Sequence, residues 1–129
     1  MKMRYEHFTD ELNRLGEVGC FDNGLTLNIE HRQMHPIPIS SNVCMSIQAS
    51  FGHYCTPKSY KLLPLKTYKT MEIAFIASSG QFVDFSVIYP TYPRLSELQL
   101  HYGDGIYSYV PVDLIQDVYV FIKKHYKSD

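Results

Sequence analysis

The sequence has no tryptophan and only three cysteines, Cys20, Cys44 and Cys55, with no CxxC spacing among them. An odd, unpatterned set describes neither a disulfide framework nor a zinc site. Cys44, His53 and Cys55 lie near one another, but their spacing matches no standard zinc pattern, so no metal is expected. No apolar run reaches the roughly 18 residues that a spanning helix needs, and nothing marks a secretory leader. The expectation is a cytoplasmic protein with reduced thiols and no membrane partner. Motifs of enzymes are missing too: there is no G-x-S-x-G elbow, no phosphate loop, no HExxH and no GxGxxG. His53 with Cys55 offers a Cys/His pair with no orienting third group, which leaves a hydrolase as the minor alternative. His101, Tyr102 and Asp104 suggest acid–base work or simply a polar loop. No catalytic residue and no cofactor are assigned.

Acidic residues are absent over a long stretch. The 129 residues carry 12 Lys plus Arg against 13 Asp plus Glu, for a net charge of −1. That neutrality argues against a general binder of long nucleic acid, which would be strongly basic. It conceals a pattern: residues 1–30 sum to −3, residues 31–71 to +5 and residues 72–129 to −3. From His31 to Met71 there is no Asp or Glu, while Arg32, Lys58, Lys61, Lys66 and Lys69 all lie there. Such a stretch suits an anionic partner, or it keeps a long loop soluble.

Aromatic residues and short periodic segments are plentiful. Eleven Tyr and seven Phe stand in a chain that is 45% hydrophobic, enough for the core of one domain, residues 1–129. Phe8, Leu12 and Leu15 predict a short helix over 5–16, stopped at Gly16. Val18–Phe21, Asp22-Asn23-Gly24 and Leu25–His31 predict a hairpin. Pro36 and Pro38 predict a bend or a sheet edge. Val43, Met45, Ile47 and Ala49 alternate with polar residues as in a strand. An irregular stretch follows, Phe51–Lys69. Thr70–Ala77 predicts a strand that turns at Ser78-Ser79-Gly80 into a second strand, Gln81–Tyr89. Ser96–His101 reads as one helical turn, Gly103-Asp104-Gly105 as a turn and Ile106–Val110 as a strand. Leu114, Ile115, Val118, Phe121 and Ile122 predict a helix over 112–126. The expected fold is α+β: a mainly antiparallel sheet of five or six strands, with an N-terminal and a C-terminal helix packed on it.

Tyrosines cluster in and beside the irregular segments, and they offer flat faces with polar tips. Together with lysine and arginine they suit a nucleotide-like ligand or a protein interface; the alternative for many of them is an ordinary half-buried strand position. Chemistry alone nominates Arg94, Tyr107 and Tyr109.

Three stretches carry a resemblance. Asn23-Gly24 leads to Ser46-Ile47-Gln48-Ala49-Ser50-x-x-His53-Tyr54-Cys55-x-Pro57-Lys58. Met71-Glu72-Ile73-Ala74-Phe75 follows, and then Ile106-Tyr107-Ser108-Tyr109-Val110-Pro111-Val112-Asp113. This pattern resembles small phage and prophage proteins with an NG…S-V-Q-A-S-x-x-H-Y-x-x-P-R core and a Y-G-Y-V-P-V-E helix start. Size, layout and the basic residue after the HYCTP segment are similar to the Thoeris anti-defence proteins of phages. Those are oligomeric sponges, hexamers, that trap a cyclic ADP-ribose signal without cleaving it. They set arginines on phosphates and an aromatic under the adenine. The resemblance places Lys58 at the basic position and Phe82 as the aromatic, with Gln48, His53 and Tyr54 in the shared core. Lysine in place of arginine loses the bidentate fork.

The resemblance implies a phage-type counter-defence protein that sequesters a phosphorylated cyclic nucleotide, as a homo-oligomer, in the host cytoplasm. The alternatives are a protein-binding inhibitor of a defence effector, of the anti-CRISPR kind, and a phage accessory protein with no ligand.

Overall fold

A computed structural model describes residues 3–23 and 29–125. Helix α1, Phe8–Leu15, begins at His7, whose ring accepts a hydrogen bond from the Thr9 amide at 3.2 Å. It ends at Gly16, where φ is +83°, a conformation glycine adopts without a Cβ penalty. Its buried face carries Phe8 and Leu12. Glu11 is buried as well, and its carboxylate accepts from the amides of Arg4 and Tyr5 and from Arg14. Burial alone would raise the Glu11 pKa, but these donors hold it below the ordinary carboxylate value.

Strands β1, Glu17–Asn23, and β2, Ile29–Met34, form a separate antiparallel pair. Asn23 pairs with Ile29, so Asn23 is a strand residue and not the centre of a tight turn. The predicted turn at Gly24 and the predicted alternation over Leu25–Asn28 lie outside the described residues.

The main sheet has five antiparallel strands in the order β3-β4-β5-β7-β6. They are β3 (Ile37–Pro38), β4 (Val43–Gln48), β5 (Thr70–Ala77), β6 (Tyr102–Gly103) and β7 (Ile106–Pro111). The short, proline-bearing β3 closes one edge, as Pro36 and Pro38 predicted. The fold is therefore the expected α+β, with the strands divided between two sheets. The polar residues that alternate along β4 do not make an open face. Instead Met45 to Ser50 are all buried, because β2 covers the second face. Gln48 makes that contact: its Oε1 accepts from the Met34 amide at 2.8 Å and its Nε2 donates to the Met34 carbonyl at 3.0 Å.

The predicted strand over Gln81–Tyr89 is a correction. Only Phe82 bridges to β5, at Ile76. The chain then coils into a one-turn helix α2, Phe85–Ile88. Asp84 causes this by accepting from the amide and hydroxyl of Ser86 at 2.9 and 2.8 Å, which satisfies the open helix end. The turn also drives Phe85 into the core, its ring 4.6 Å from that of Phe75. Gln99, in helix α3 (Leu95–Gln99), ties back to Asp84 at 3.0 Å.

Helix α4, Val112–His125, follows β7 directly. Leu114, Ile115, Val118, Tyr119 and Ile122 are buried, in line with the predicted apolar face apart from the half-buried Phe121. Gln116 binds α1 to it, accepting from the Phe8 amide at 2.9 Å and donating to the Glu6 carbonyl at 2.7 Å. Among the described residues, no helix is long and apolar enough to cross a membrane.

Candidate functional site

The stretch after β4 is irregular but closely tied down. The His53 amide donates to the Ser50 carbonyl at 2.9 Å, and the Cys55 amide to the His53 carbonyl at 3.0 Å. The Tyr54 amide donates to Glu72 of β5 at 3.1 Å. The Tyr54 carbonyl accepts from the Tyr109 amide at 3.0 Å. These bonds set the 50–58 segment against the surface of β5 and β7.

Lys58 is the centre of the result. Its ammonium donates to the carbonyl of Phe51 at 3.3 Å and to that of His53. The same nitrogen lies 5.9 Å from the centroids of both Tyr54 and Tyr109, and those rings are 5.9 Å apart. Both rings are partly open, at 50% and 41% exposure. Tyr109 holds φ at +53°, a left-handed conformation that costs a non-glycine residue of order 1 kcal/mol. Two exposed tyrosines and a fixed cation thus share one patch.

A second cation approaches from β2. Arg32 is only 8% exposed, yet no carboxylate among the described residues pairs with it. Its Nη2 donates to the Ala49 carbonyl at 2.9 Å, and its guanidinium lies 5.9 Å from the Tyr68 ring centre. Its Nε is buried without a hydrogen-bond partner. Charged arginines are rarely buried without a counter-ion, because desolvation costs several kcal/mol per ion. Beside it the His31 ring closes on Gly52, where an added Cβ would sit 2.6 Å from the imidazole.

His53 joins the two cations. Its Nδ1 lies 2.8 Å from the Ser50 hydroxyl. Burial lowers its pKa, and His31, Lys58 and Arg32 push the same way against the single opposing carboxylate, Glu72. The acid-free stretch of sequence thus becomes a local excess of positive charge in space.

The eight nominated residues divide. His53, Tyr54, Lys58 and Tyr109 come together here. Gln48 is buried, and its amide is occupied by Met34 and Ser46. Tyr107 is fully buried, accepts from the Phe85 amide at 2.8 Å and packs edge-on against Phe75. Phe82 is half exposed and leans over Gly105. Arg94 is engaged by Glu97 at 2.8 Å, beside a pocket of about 200 Å³ against α4. Sequence reasoning missed His31, Arg32 and Glu72 as site residues. Arg32 was visible as the one arginine of the acid-free stretch, but nothing in the order of residues showed that β2 would bring it to Ala49.

Nucleophile chemistry has little footing in this group. Cys55 is 1% exposed, and its thiol donates to the Ser50 carbonyl at 3.3 Å, while His53 faces the Ser50 hydroxyl. Burial pushes the Cys55 thiol pKa up, away from thiolate. Among the described residues, no group of three or more His, Cys, Asp or Glu side chains is placed to hold a metal ion. His101 directs Nδ1 at the Ser108 carbonyl, 3.0 Å away, which matches a polar loop. No protein-family model matches the chain, and neither a curated protein nor a solved structure does.

Proposed function

We propose that this protein binds a phosphorylated ligand bearing a flat ring, of the cyclic nucleotide class, and sequesters it without cleavage. The observation that carries the reading is the juxtaposition of Lys58 with the exposed rings of Tyr54 and Tyr109, with His53 acted on by both Lys58 and an Arg32 that has no counter-ion among the described residues. In this reading the tyrosines stack on the base, which is worth ~1–3 kcal/mol per stacked base. Lys58 and His53 meet the phosphate, and Arg32 supplies longer-range positive charge. The burial of Ser50 and Cys55 supports holding over hydrolysis. The phage-type pattern extends the proposal to counter-defence in the host cytoplasm, by a homo-oligomer that removes an immune signal through mass action. A sponge of ~1 nM affinity needs about 12 kcal/mol of binding free energy, more than an open patch supplies, so a neighbouring subunit is expected to cover the ligand.

The test is retention followed by release. The protein is incubated with cyclic ADP-ribose isomers, freed of unbound ligand by gel filtration, and heat-denatured. Stoichiometric recovery of intact ligand is expected, with Lys58→Glu retaining none. A cleaved product would assign an enzyme instead. Absence of retained ligand, together with stoichiometric capture of a defence protein, would assign the inhibitor reading.

A further inference from the structure

A pocket of about 330 Å³ lies where the start of α1, the 3-10 turn Leu65–Thr67 and the start of α4 meet. Its floor and walls are apolar: Phe8, Leu65, Tyr68 and Val112. Its polar lining is His7, Thr9 and Lys66. The volume falls at the lower end of small-molecule sites.

The helix end itself is not the attractor. The Phe8 amide is taken by Gln116, the Thr9 amide by the His7 ring and the Glu11 amide by the His7 carbonyl. What remains is a pair of side-chain donors. Because His7 Nδ1 accepts from the Thr9 amide, the ring proton of the neutral imidazole sits on Nε2. That Nε2–H has no partner among the described residues. The His7 ring is fixed in place by stacking on Phe8, with centroids 5.0 Å apart. Lys66 contributes the charge. Its counter-ion among the described residues, Asp10, is 3.6 Å away, and both side chains are well exposed, so this pair is easily exchanged for a ligand anion. The Tyr68 hydroxyl is buried with no hydrogen-bond partner of normal geometry.

We propose that this pocket binds a small carboxylic acid with an apolar body. The carboxylate accepts from His7 Nε2–H and from the Lys66 ammonium, and the body lies against Leu65 and the half-buried Val112. A single anionic head matches the two side-chain donors His7 and Lys66, and with Lys66 as the one cation in the lining the pocket suits an uncharged body better than a second charged group. The site is independent of the nucleotide reading and stands or falls separately.

The experiment titrates the full chain, labelled with nitrogen-15, with phenylacetate, with its neutral isostere phenylacetamide, and with inorganic phosphate. Phenylacetate is expected to shift the amides of Thr9, Lys66 and Val112 with a Kd of about 1 mM or tighter. The amide is expected to bind at least about tenfold more weakly, and phosphate to leave these amides unmoved. Lys66→Gln, at an exposed position, keeps the spectrum of the folded chain and weakens phenylacetate to the level of the amide. Equal binding of acid and amide, shifts confined to other residues, or unchanged affinity in Lys66→Gln would each overturn the proposal.

Discussion

Gln48 grips Met34 with both halves of its amide, accepting from the backbone N–H at 2.8 Å and donating to the carbonyl at 3.0 Å. One buried side chain thereby completes the hydrogen bonding of a strand belonging to a different sheet. Nominated from sequence as a ligand contact, it acts as a structural tie. Gln48→Leu leaves both groups of Met34 without their partner in a dry environment. Each such loss costs ~1–3 kcal/mol, so destabilisation of about 2–4 kcal/mol is expected in urea titrations. A shift below about 0.5 kcal/mol would mean that water satisfies Met34 in place of Gln48.

Arg32 poses the opposite case, a buried group with too few partners. An arginine that anchors a structure through a buried ion pair costs ~3–5 kcal/mol when its pair is broken. Arg32 holds one carbonyl and leaves Nε unpaired. Arg32→Met is therefore expected to change folding stability by less than about 1 kcal/mol, since methionine fills similar space without a charge to desolvate. Binding of the nucleotide ligand is expected to fall at least about tenfold. A loss of stability above about 3 kcal/mol with unchanged binding would make Arg32 a structural cation.

The two residues show where sequence stops informing. Helix α4 was readable because its apolar spacing and its cap preferences agree locally. Strand β5 was readable for the same reason, from alternation. The Gln81–Tyr89 segment misled because its apolar, β-branched residues suit either state. Asp84 decided the outcome through a two-residue capping contact that periodicity does not register. Of the candidate site, the segment 53–58 was legible as a basic, aromatic stretch. Tyr109 is brought to it by the hydrogen bond from its amide to the Tyr54 carbonyl, and Arg32 by the crossing of β2 over β4. Both depend on long-range pairing, which one-dimensional patterns do not encode.

His53 should make stability depend on pH in a defined window. Its folded pKa is lowered below 6.5, first by burial and then by His31, Lys58 and Arg32. The unfolded chain therefore takes up the proton more readily than the folded one, and stability rises with pH. The His53 contribution is fully present above 6.5 and is lost as pH falls below that value. Glu11 and Asp84, whose pKa values are lowered from ordinary carboxylate values, act in the same direction at more acidic pH. Urea midpoints at about pH 7.5 and pH 5.5 should differ in the native chain. His53→Asn keeps an acceptor for the Ser50 hydroxyl but does not titrate, and it should flatten that difference. An equal slope in the variant would move the effect to another group.

Tyr109 separates stacking from hydrogen bonding. Its φ of +53° is tolerated far better by asparagine, whose short polar side chain suits the left-handed region. Tyr109→Asn forfeits the ring contact with Tyr54, worth ~0.5–1.5 kcal/mol, and recovers backbone strain of similar size. Folding stability is therefore expected to stay within about 1 kcal/mol of the parent chain. Ligand binding should drop at least about tenfold, because the second stacking face is gone. Tyr109→Phe keeps the face and removes the hydroxyl, and its affinity should remain within about threefold. Calorimetric titration of both variants with the same cyclic nucleotide checks the pair. If Tyr109→Phe loses as much affinity as Tyr109→Asn, the hydroxyl is the contact, and the ligand then lies beside the ring plane and not on its face.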